Sequence, residues 1–243
     1  MIESGLYTIN FMKWRFKLMN TDLQKMYDNR FKVEEKNKKG AVWEEICKYL
    51  FKNTHREYNI IVDVAAGYCD FSNHIDYNCK KYAIDVNPDV KKYAKDGIEV
   101  IVDNIENLSL HFEENTISLF FMSNFLEHIS KDAISRLLKT EYSLLESGGQ
   151  VCISTPYIRY VGGKYWDFYD HITPITEKAL MEEAELIGYK VKTCIPKFLP
   201  YTTKSRLPKA PWIVHLYLQL MPLSGRLFGE QSFLVLSKED RTG

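Results

Sequence analysis

One stretch of this chain constrains its fold more than any other: IIVDVAAGYCDF, residues 60–71. An apolar, β-branched run of this length reads as a buried strand. It ends in the small residues Ala65, Ala66 and Gly67, which let a backbone approach a ligand closely. A second strand-like run follows, KKYAIDVN over 80–87, with Asp85 at its carboxyl end. An acid in that place can accept hydrogen bonds from both hydroxyls of a ribose. Together the two runs describe a unit that holds an adenosine.

The pattern continues as an alternation. Strands are expected over 60–65, 81–85, 99–102, 117–123 and 150–155, with a helix over 132–146 stopped by Ser147-Gly148-Gly149. Ahead of them, 21–31 and 43–52 read as helices and 32–39 as a solvated charged stretch. After them, Thr176 caps a helix over 177–187 that Gly188 ends. Strands follow over 189–195 and 231–237, separated by a Pro-rich, aromatic and basic insertion, 196–230. Alternating βα units argue for a mostly parallel sheet with helices on both faces: an α/β, Rossmann-like fold. The expected organisation is one structural domain, with an N-terminal helical extension (1–42), a nucleotide-binding core (43–195), a substrate-side insertion (196–230), and a last strand and tail (231–243).

Open α/β sheets bind ligands outside the carboxyl ends of their strands. The chemistry-bearing residues fall there: Ala65, Ala66 and Gly67 after the first strand, Asp85 and Val86 after the second, Asp103 and Asn104 after the third. Ser123, Asn124, Glu127 and His128 follow the fourth. A nicotinamide dehydrogenase wants a third glycine, which packs its helix on its strand. Asp70 stands in that place and argues against this reading.

The string Asp63-Val64-Ala65-Ala66-Gly67-Tyr68-Cys69 resembles the cofactor loop of the class I S-adenosylmethionine-dependent methyltransferases. FMSNFLEHI over 121–129 resembles that family's fourth-strand segment, and Ser147-Gly148-Gly149 before a strand is also typical of it. The resemblance covers roughly 43–189. It implies a seven-stranded sheet with an antiparallel last strand, S-adenosyl-L-methionine as cofactor, and a loop from Asp63 to Gly67 facing the cofactor's methionine part. It also implies Asp85 on the ribose, with Asp103 and Asn104 against the adenine. Two of the family's glycine positions are here Ala65 and Cys69. That departure motivates an alternative, a methyltransferase fold serving as a binding scaffold. A second resemblance runs from about 23 to 238, through YDNRF, AAGYCDF, SNFLEHI, YWDFYDHITPIT and FLPYTTKSRLPKAP. It is to bacterial methyltransferases associated with surface-polysaccharide biosynthesis, and it implies a saccharide or phosphate-bearing acceptor.

A sugar hydroxyl needs a general base, whereas a phosphate needs only cationic positioning groups. His128 and His171, the latter in YWDFYDHITP, are the candidate bases, because histidine as a residue type suits proton acceptance near neutral pH and a nearby carboxylate can fix its tautomer. Aromatic faces suit sugar rings and arginines suit phosphates. Tyr27, Arg30, Arg159, Tyr160, Trp166, Asp167, Tyr201, Lys204 and Arg206 are therefore the candidate acceptor-binding residues.

Composition excludes several classes. With 32 basic and 32 acidic residues the chain has no global attraction to nucleic acid. Five scattered cysteines without a CxxC pair suit reduced thiols in a cytoplasmic protein. The histidines and acids show no metal-ligand spacing, so no metal is expected. The apolar residues near the start are interrupted by Lys13, Arg15 and Lys17, so no secretion signal is expected, and Met12 or Met19 could serve as the start. No apolar run approaches the roughly 18 residues of a membrane span. The apolar stretch 211–228 could lie on a membrane surface, pair two subunits or cover the active site; with few charges flanking its polar face, packing on the core or pairing two subunits as a homodimer is expected.

Overall fold

The computed structural model describes residues 33–54, 57–200 and 210–239. The expected helix over 21–31 lies outside them. The chain divides into two compact units, Met1–Lys39 and Gly40–Gly243. The second unit holds a seven-stranded sheet: β1 (Ile60–Val64), β2 (Lys80–Asp85), β3 (Ile98–Val102), β4 (Ile117–Ser123), β5 (Leu145–Pro156), β6 (Lys190–Ile195) and β7 (Gln231–Ser237). Their order is β3-β2-β1-β4-β5-β7-β6. Six strands are parallel; β7 runs antiparallel to both of its neighbours, as expected. Strand order reverses between β1 and β4, which opens a crevice at their carboxyl ends.

Side chains alternate across the sheet. Val62, Val64, Phe120, Met122, Val151 and Ile153 face one core. Leu137 and Leu138 of α3 (Lys131–Leu144) and Leu180 and Ala184 of α5 (Glu177–Ile187) cover it. Ile61, Leu119, Phe121, Cys152, Phe233 and Val235 face the other core. There Ile46, Cys47 and Leu50 of α1 (Val33–Thr54) join Phe198 and Leu218 from the late insertion. Burial on both faces explains why β4 carries the apolar run Leu119–Met122 without alternation. All five cysteines are free thiols.

Several expectations need correction. The helix expected over 43–52 starts at Val33 and runs to Thr54, taking in the charged residues 33–39. The connections β1–β2 and β2–β3 carry only 3-10 turns (Ser72–His74 and Pro88–Lys92), and β3–β4 adds the short α2 (Leu108–His111). Ser147-Gly148-Gly149 does not stop a helix, because α3 ends at Leu144. These residues lie inside β5, where register slips between Ile117↔Leu145 and Leu119↔Gln150. A Cβ on Gly149 would stand 2.8 Å from the Glu146 carbonyl oxygen and 2.9 Å from that of Ile117. The glycine is what lets this bulge close. Thr176 does cap α5, its Oγ1 accepting the Ala179 N–H at 3.3 Å, and left-handed Gly188 does end it.

α4 (Ile158–Val161) follows β5, and the insertion between β6 and β7 contains α6 (Pro211–Gln219) and α7 (Leu223–Phe228). The Tyr217 hydroxyl donates to the Phe198 carbonyl at 2.7 Å, tying α6 down. A Cβ on Gly225 would lie 2.0 Å from the Lys197 carbonyl oxygen, so α7 rests directly on that backbone. Among the described residues no helix is long and apolar enough to cross a membrane.

Candidate active site

The turn after β1 adopts an unusual backbone. Ala65, Gly67 and Cys69 have φ of 55°, 52° and 56°, so alternate residues are left-handed. Only glycine takes that conformation without cost; each of the others is strained by about 1 kcal/mol. The strain at Ala65 and Cys69 is met by local bonds. Ala66 N–H donates to the Ile84 carbonyl at 3.1 Å and Cys69 N–H to the Ala66 carbonyl at 2.7 Å. The Cys69 side chain is fully buried against Ala83 and Val90, and burial pushes its thiol up to about 12, leaving it unreactive. A Cβ on exposed Gly67 would meet nothing within 4 Å, so this loop presents bare backbone to open space.

Asp85 closes the loop from the neighbouring strand. Its Oδ2 accepts the Gly67 N–H and its Oδ1 the Asn87 N–H, each at 2.8 Å. Burial pushes its carboxyl above the usual value, opposed by the N–H donors of Asn87, Gly67 and Val86. Asp63 sits deeper, 4% exposed, accepting the Ser72 N–H at 3.1 Å. Burial lifts its pKa to about 7, with Asp70 and Asp85 adding to the shift and Ser72 opposing it. Asp103 follows β3. Its carboxylate accepts from Asn104 N–H (2.7 Å) and Asn107 Nδ2 (2.8 Å) and pairs with His111 Nε2 (2.7 Å). These donors, His111 foremost, hold its pKa below the usual value. Asn104 caps the next turn by accepting the Glu106 N–H. Val86 and Val102 stay about one-third exposed at the ends of β2 and β3.

The far side of the crevice is built from β4, β5 and β7. Asn124, also left-handed at φ 51°, donates its N–H to the Ser154 carbonyl and accepts from Gln231 Nε2 at 3.1 Å. Sequence reasoning missed Gln231, because only the antiparallel pairing of β7 with β5 brings it there. Glu127 is 1% exposed and bonded to Thr155 Oγ1. Burial raises its pKa to about 8, reinforced by Asp170 and opposed by its own backbone N–H and Thr155.

His128 is partly exposed. Its Nδ1 lies 3.2 Å from Asp170 Oδ2 and 3.1 Å from the Asp170 carbonyl oxygen. Its ring stands edge-on to that of His171, centroids 4.9 Å apart. His171 is only 7% exposed and packs on Phe168 and Tyr165. The Glu127 carbonyl accepts from the N–H groups of Ile172 and Thr173, locking the two segments together. The potential ligand atoms of Glu127, His128 and His171 lie within 4.8 Å of one another, a cluster that spacing alone did not reveal. A metal there would require Glu127 ionised, against its burial.

The acceptor candidates scatter. Arg159 and Tyr160 are exposed on α4, and Lys197 Nζ sits 4.6 Å above the Tyr160 ring. Trp166 is 57% exposed and Asp167 is exposed beside it. Tyr27, Arg30, Tyr201, Lys204 and Arg206 lie outside the described residues.

A family model described as "Methyltransferase domain" matches residues 62–153, which spans the loop, Asp85, Asp103 and the β4 segment. No curated protein matches the sequence. Among solved structures, the chain is similar to a SAM-dependent methyltransferase from Archaeoglobus fulgidus. Identity is 16%, TM-score 0.56, and 96% of this chain and 99% of that one are covered. It is also similar to a Burkholderia thailandensis 1,6-didemethyltoxoflavin-N1-methyltransferase holding S-adenosylhomocysteine, at 15% identity and TM-score 0.59, covering 92% and 88%. At such identities the likeness is one of fold. The domain match over residues 62–153, taken with the fold, supports an S-adenosylmethionine-dependent methyltransferase. S-adenosyl-L-methionine is its cofactor. The residues present fit that group: a half-buried carboxylate at the end of β2, bare backbone at Gly67, and the exposed apolar faces of Val86 and Val102.

Proposed function

We propose that the protein methylates a hydroxyl oxygen of a sugar or phosphate-bearing precursor of bacterial surface polysaccharide, acting in the cytoplasm. One observation carries the reaction type. His128, partly exposed in the turn after β4, sets its Nδ1 against the Asp170 carboxylate. In the cofactor site, Asp85 would hold the ribose hydroxyls, Val86 and Val102 the adenine with Asp103 and Asn104 beside it, and the Asp63–Gly67 loop with Asn124 the methionine end. The bound cofactor supplies a methyl group on a sulfonium, already a good leaving group.

The remaining work falls to the chain. A sugar hydroxyl is a weak nucleophile until its proton has somewhere to go. Asp170 fixes the His128 proton on Nδ1, so Nε2 is the basic nitrogen. The developing imidazolium is stabilised by the same carboxylate. His171, buried and ring-packed, holds the His128 ring in orientation and is not itself the base. Arg159 and Tyr160, exposed on α4, would take the acceptor's phosphate and sugar ring. The second resemblance, through YWDFYDHITPIT and FLPYTTKSRLPKAP, supports the polysaccharide setting.

The test is mass spectrometry for the gain of one methylene unit on sugar, nucleotide-sugar and phosphate-bearing precursors. His128→Ala should lower the rate about 10²–10⁴-fold. If His128→Ala leaves the rate intact while Arg159→Ala abolishes it, an already anionic acceptor oxygen replaces the hydroxyl.

A further inference from the structure

Gln231 departs from the pattern of its strand. It opens β7 and leads the series Gln231, Phe233 and Val235, whose last two members face the second core. Phe233 and Val235 are apolar, as that face demands, whereas Gln231 is an amide only 6% exposed. A buried amide must find partners at both of its ends. Its Oε1 accepts from Ser154 Oγ at 3.2 Å, and its Nε2 donates to Asn124 Oδ1 at 3.1 Å. Those partners lie in β5 and directly after β4, so one side chain ties together the ends of three strands.

The base of that side chain is fixed as well. The Gln231 N–H donates to the Leu199 carbonyl at 2.9 Å, and the Gln231 carbonyl accepts the Phe198 N–H at 2.6 Å. Asn124 is held in turn. Its backbone, left-handed at φ 51°, donates its N–H to the Ser154 carbonyl at 2.9 Å. A non-glycine residue keeps that conformation where its surroundings over-determine it, and such residues gather at sites of ligand contact. With Oδ1 engaged by Gln231, the NH2 end of the Asn124 amide faces the other way. One of its hydrogens goes to Ser123 Oγ at 3.1 Å. A primary amide carries two, and Asn124 is exposed at the carboxyl end of β4, where the crevice opens. An N–H donor placed there suits an anion, and the anion at the methionine end of the cofactor is its carboxylate.

We propose that Gln231 is a positioning residue for the methyl donor: it holds the Asn124 amide with its NH2 group toward the methionine carboxylate of S-adenosylmethionine. Asn124 makes the contact, and Gln231 decides which end of the amide makes it. Released from Gln231, the amide can turn over and set its oxygen against the carboxylate. This role rests on Asn124 lying at the methionine end of the cofactor, as proposed above, and is independent of which acceptor is methylated.

The experiment is titration calorimetry of the full chain with S-adenosylmethionine and with decarboxylated S-adenosylmethionine, which lacks the anion. Gln231→Met keeps the length of the side chain and removes both bonds; Gln231→Glu keeps the acceptor for Ser154 and removes only the donor. Each should weaken S-adenosylmethionine about tenfold or more and leave affinity for the decarboxylated compound at the wild-type value. Equal losses for both ligands would reveal a general disturbance of the fold and overturn the proposal. A loss confined to Gln231→Glu would also overturn it, since added charge would then be the cause. Two changes at exposed Asn124 keep the test decisive even where a Gln231 variant folds poorly, and both tolerate its left-handed φ. Asn124→Asp keeps the acceptor for Gln231 and replaces the NH2 group by oxygen, so it should weaken S-adenosylmethionine about tenfold or more and spare the decarboxylated compound; unchanged affinity for S-adenosylmethionine would overturn the proposal by itself. Asn124→Gly separates the two layers of the argument. If it leaves S-adenosylmethionine affinity unchanged, the placement of Asn124 fails and the role of Gln231 with it. If it weakens binding while Gln231→Met does not, the placement stands and the role of Gln231 fails.

Discussion

Replacing Glu127 by glutamine probes the buried side of the crevice through pH. The side chain is fully enclosed, bonded to Thr155, and its pKa is raised from 4.5 to about 8. Below pH 4.5 the carboxyl is protonated in the folded and unfolded chain alike and contributes no pH dependence. Between 4.5 and about 8 the unfolded chain releases the proton while the folded chain keeps it. The native state then loses about 1.4 kcal/mol of stability per pH unit. The interval from 4.5 to neutrality spans about 2.5 units, so the cost at pH 7 is about 3 kcal/mol. Glutamine keeps the shape and removes the titration. Its extra N–H adds a penalty that is the same at every pH. Asp63, raised to about 7 by burial, titrates in both proteins and cancels from the difference. Urea unfolding of both proteins from pH 4 to pH 8 measures the effect. The variant should gain about 3 kcal/mol on the wild type between the acid end and pH 7, or roughly 6–12 °C in Tm for a chain of this size. A gap that stays constant over that range would mean Glu127 is ionised in the native state, and the reasoning would fail.

Three further outcomes follow from the geometry. Asp85→Ala should weaken S-adenosylmethionine binding by about 1.5–3 kcal/mol, the worth of hydrogen bonds to a charged group; an unchanged dissociation constant by calorimetry removes Asp85 from the site. Ala65→Gly relieves a left-handed φ and should raise stability by up to about 1 kcal/mol, whereas Gly67→Ala, at φ 52°, should lower it by a similar amount; thermal melts of the two variants that shift in the same direction would contradict this. Gly225→Ala places a methyl 2.0 Å from the Lys197 carbonyl oxygen and should cost about 1–3 kcal/mol; an unaltered Tm would show that α7 can lift without penalty.

The sequence displays the sheet well because both of its faces are buried. Runs such as ISLFFMS over β4 can hardly be anything but a central strand, and the small-residue turn marks where the crevice opens. Local periodicity fails where a tertiary contact overrides it. The glycine pair at 148–149 reads as a helix stop, yet it serves a bulge whose need arises from β4 across the sheet. The alternation of strands suggests helices in the crossovers after β1 and β2, but the Ser72 N–H is bonded to Asp63 and Asn87 caps its own turn, and only 3-10 turns form. Within the site, His128 and His171 can be named from composition, but the different roles proposed for them cannot. It depends on Asp170, 42 residues away from His128, supplying both a carboxylate and a carbonyl, and on Phe168 and Tyr165 closing over His171. Gln231 has no local signal at all.

The position of β7 has a consequence for how the molecule is made. This strand is buried along its whole length and lies between β5 and β6, both of which precede it in the chain. Until it is synthesised, two strand edges stay unpaired beside a half-finished core, a template for association with other nascent chains. A chain cut short before Gln231 would keep those edges open, so the sheet closes only when the last strand is inserted between its two neighbours.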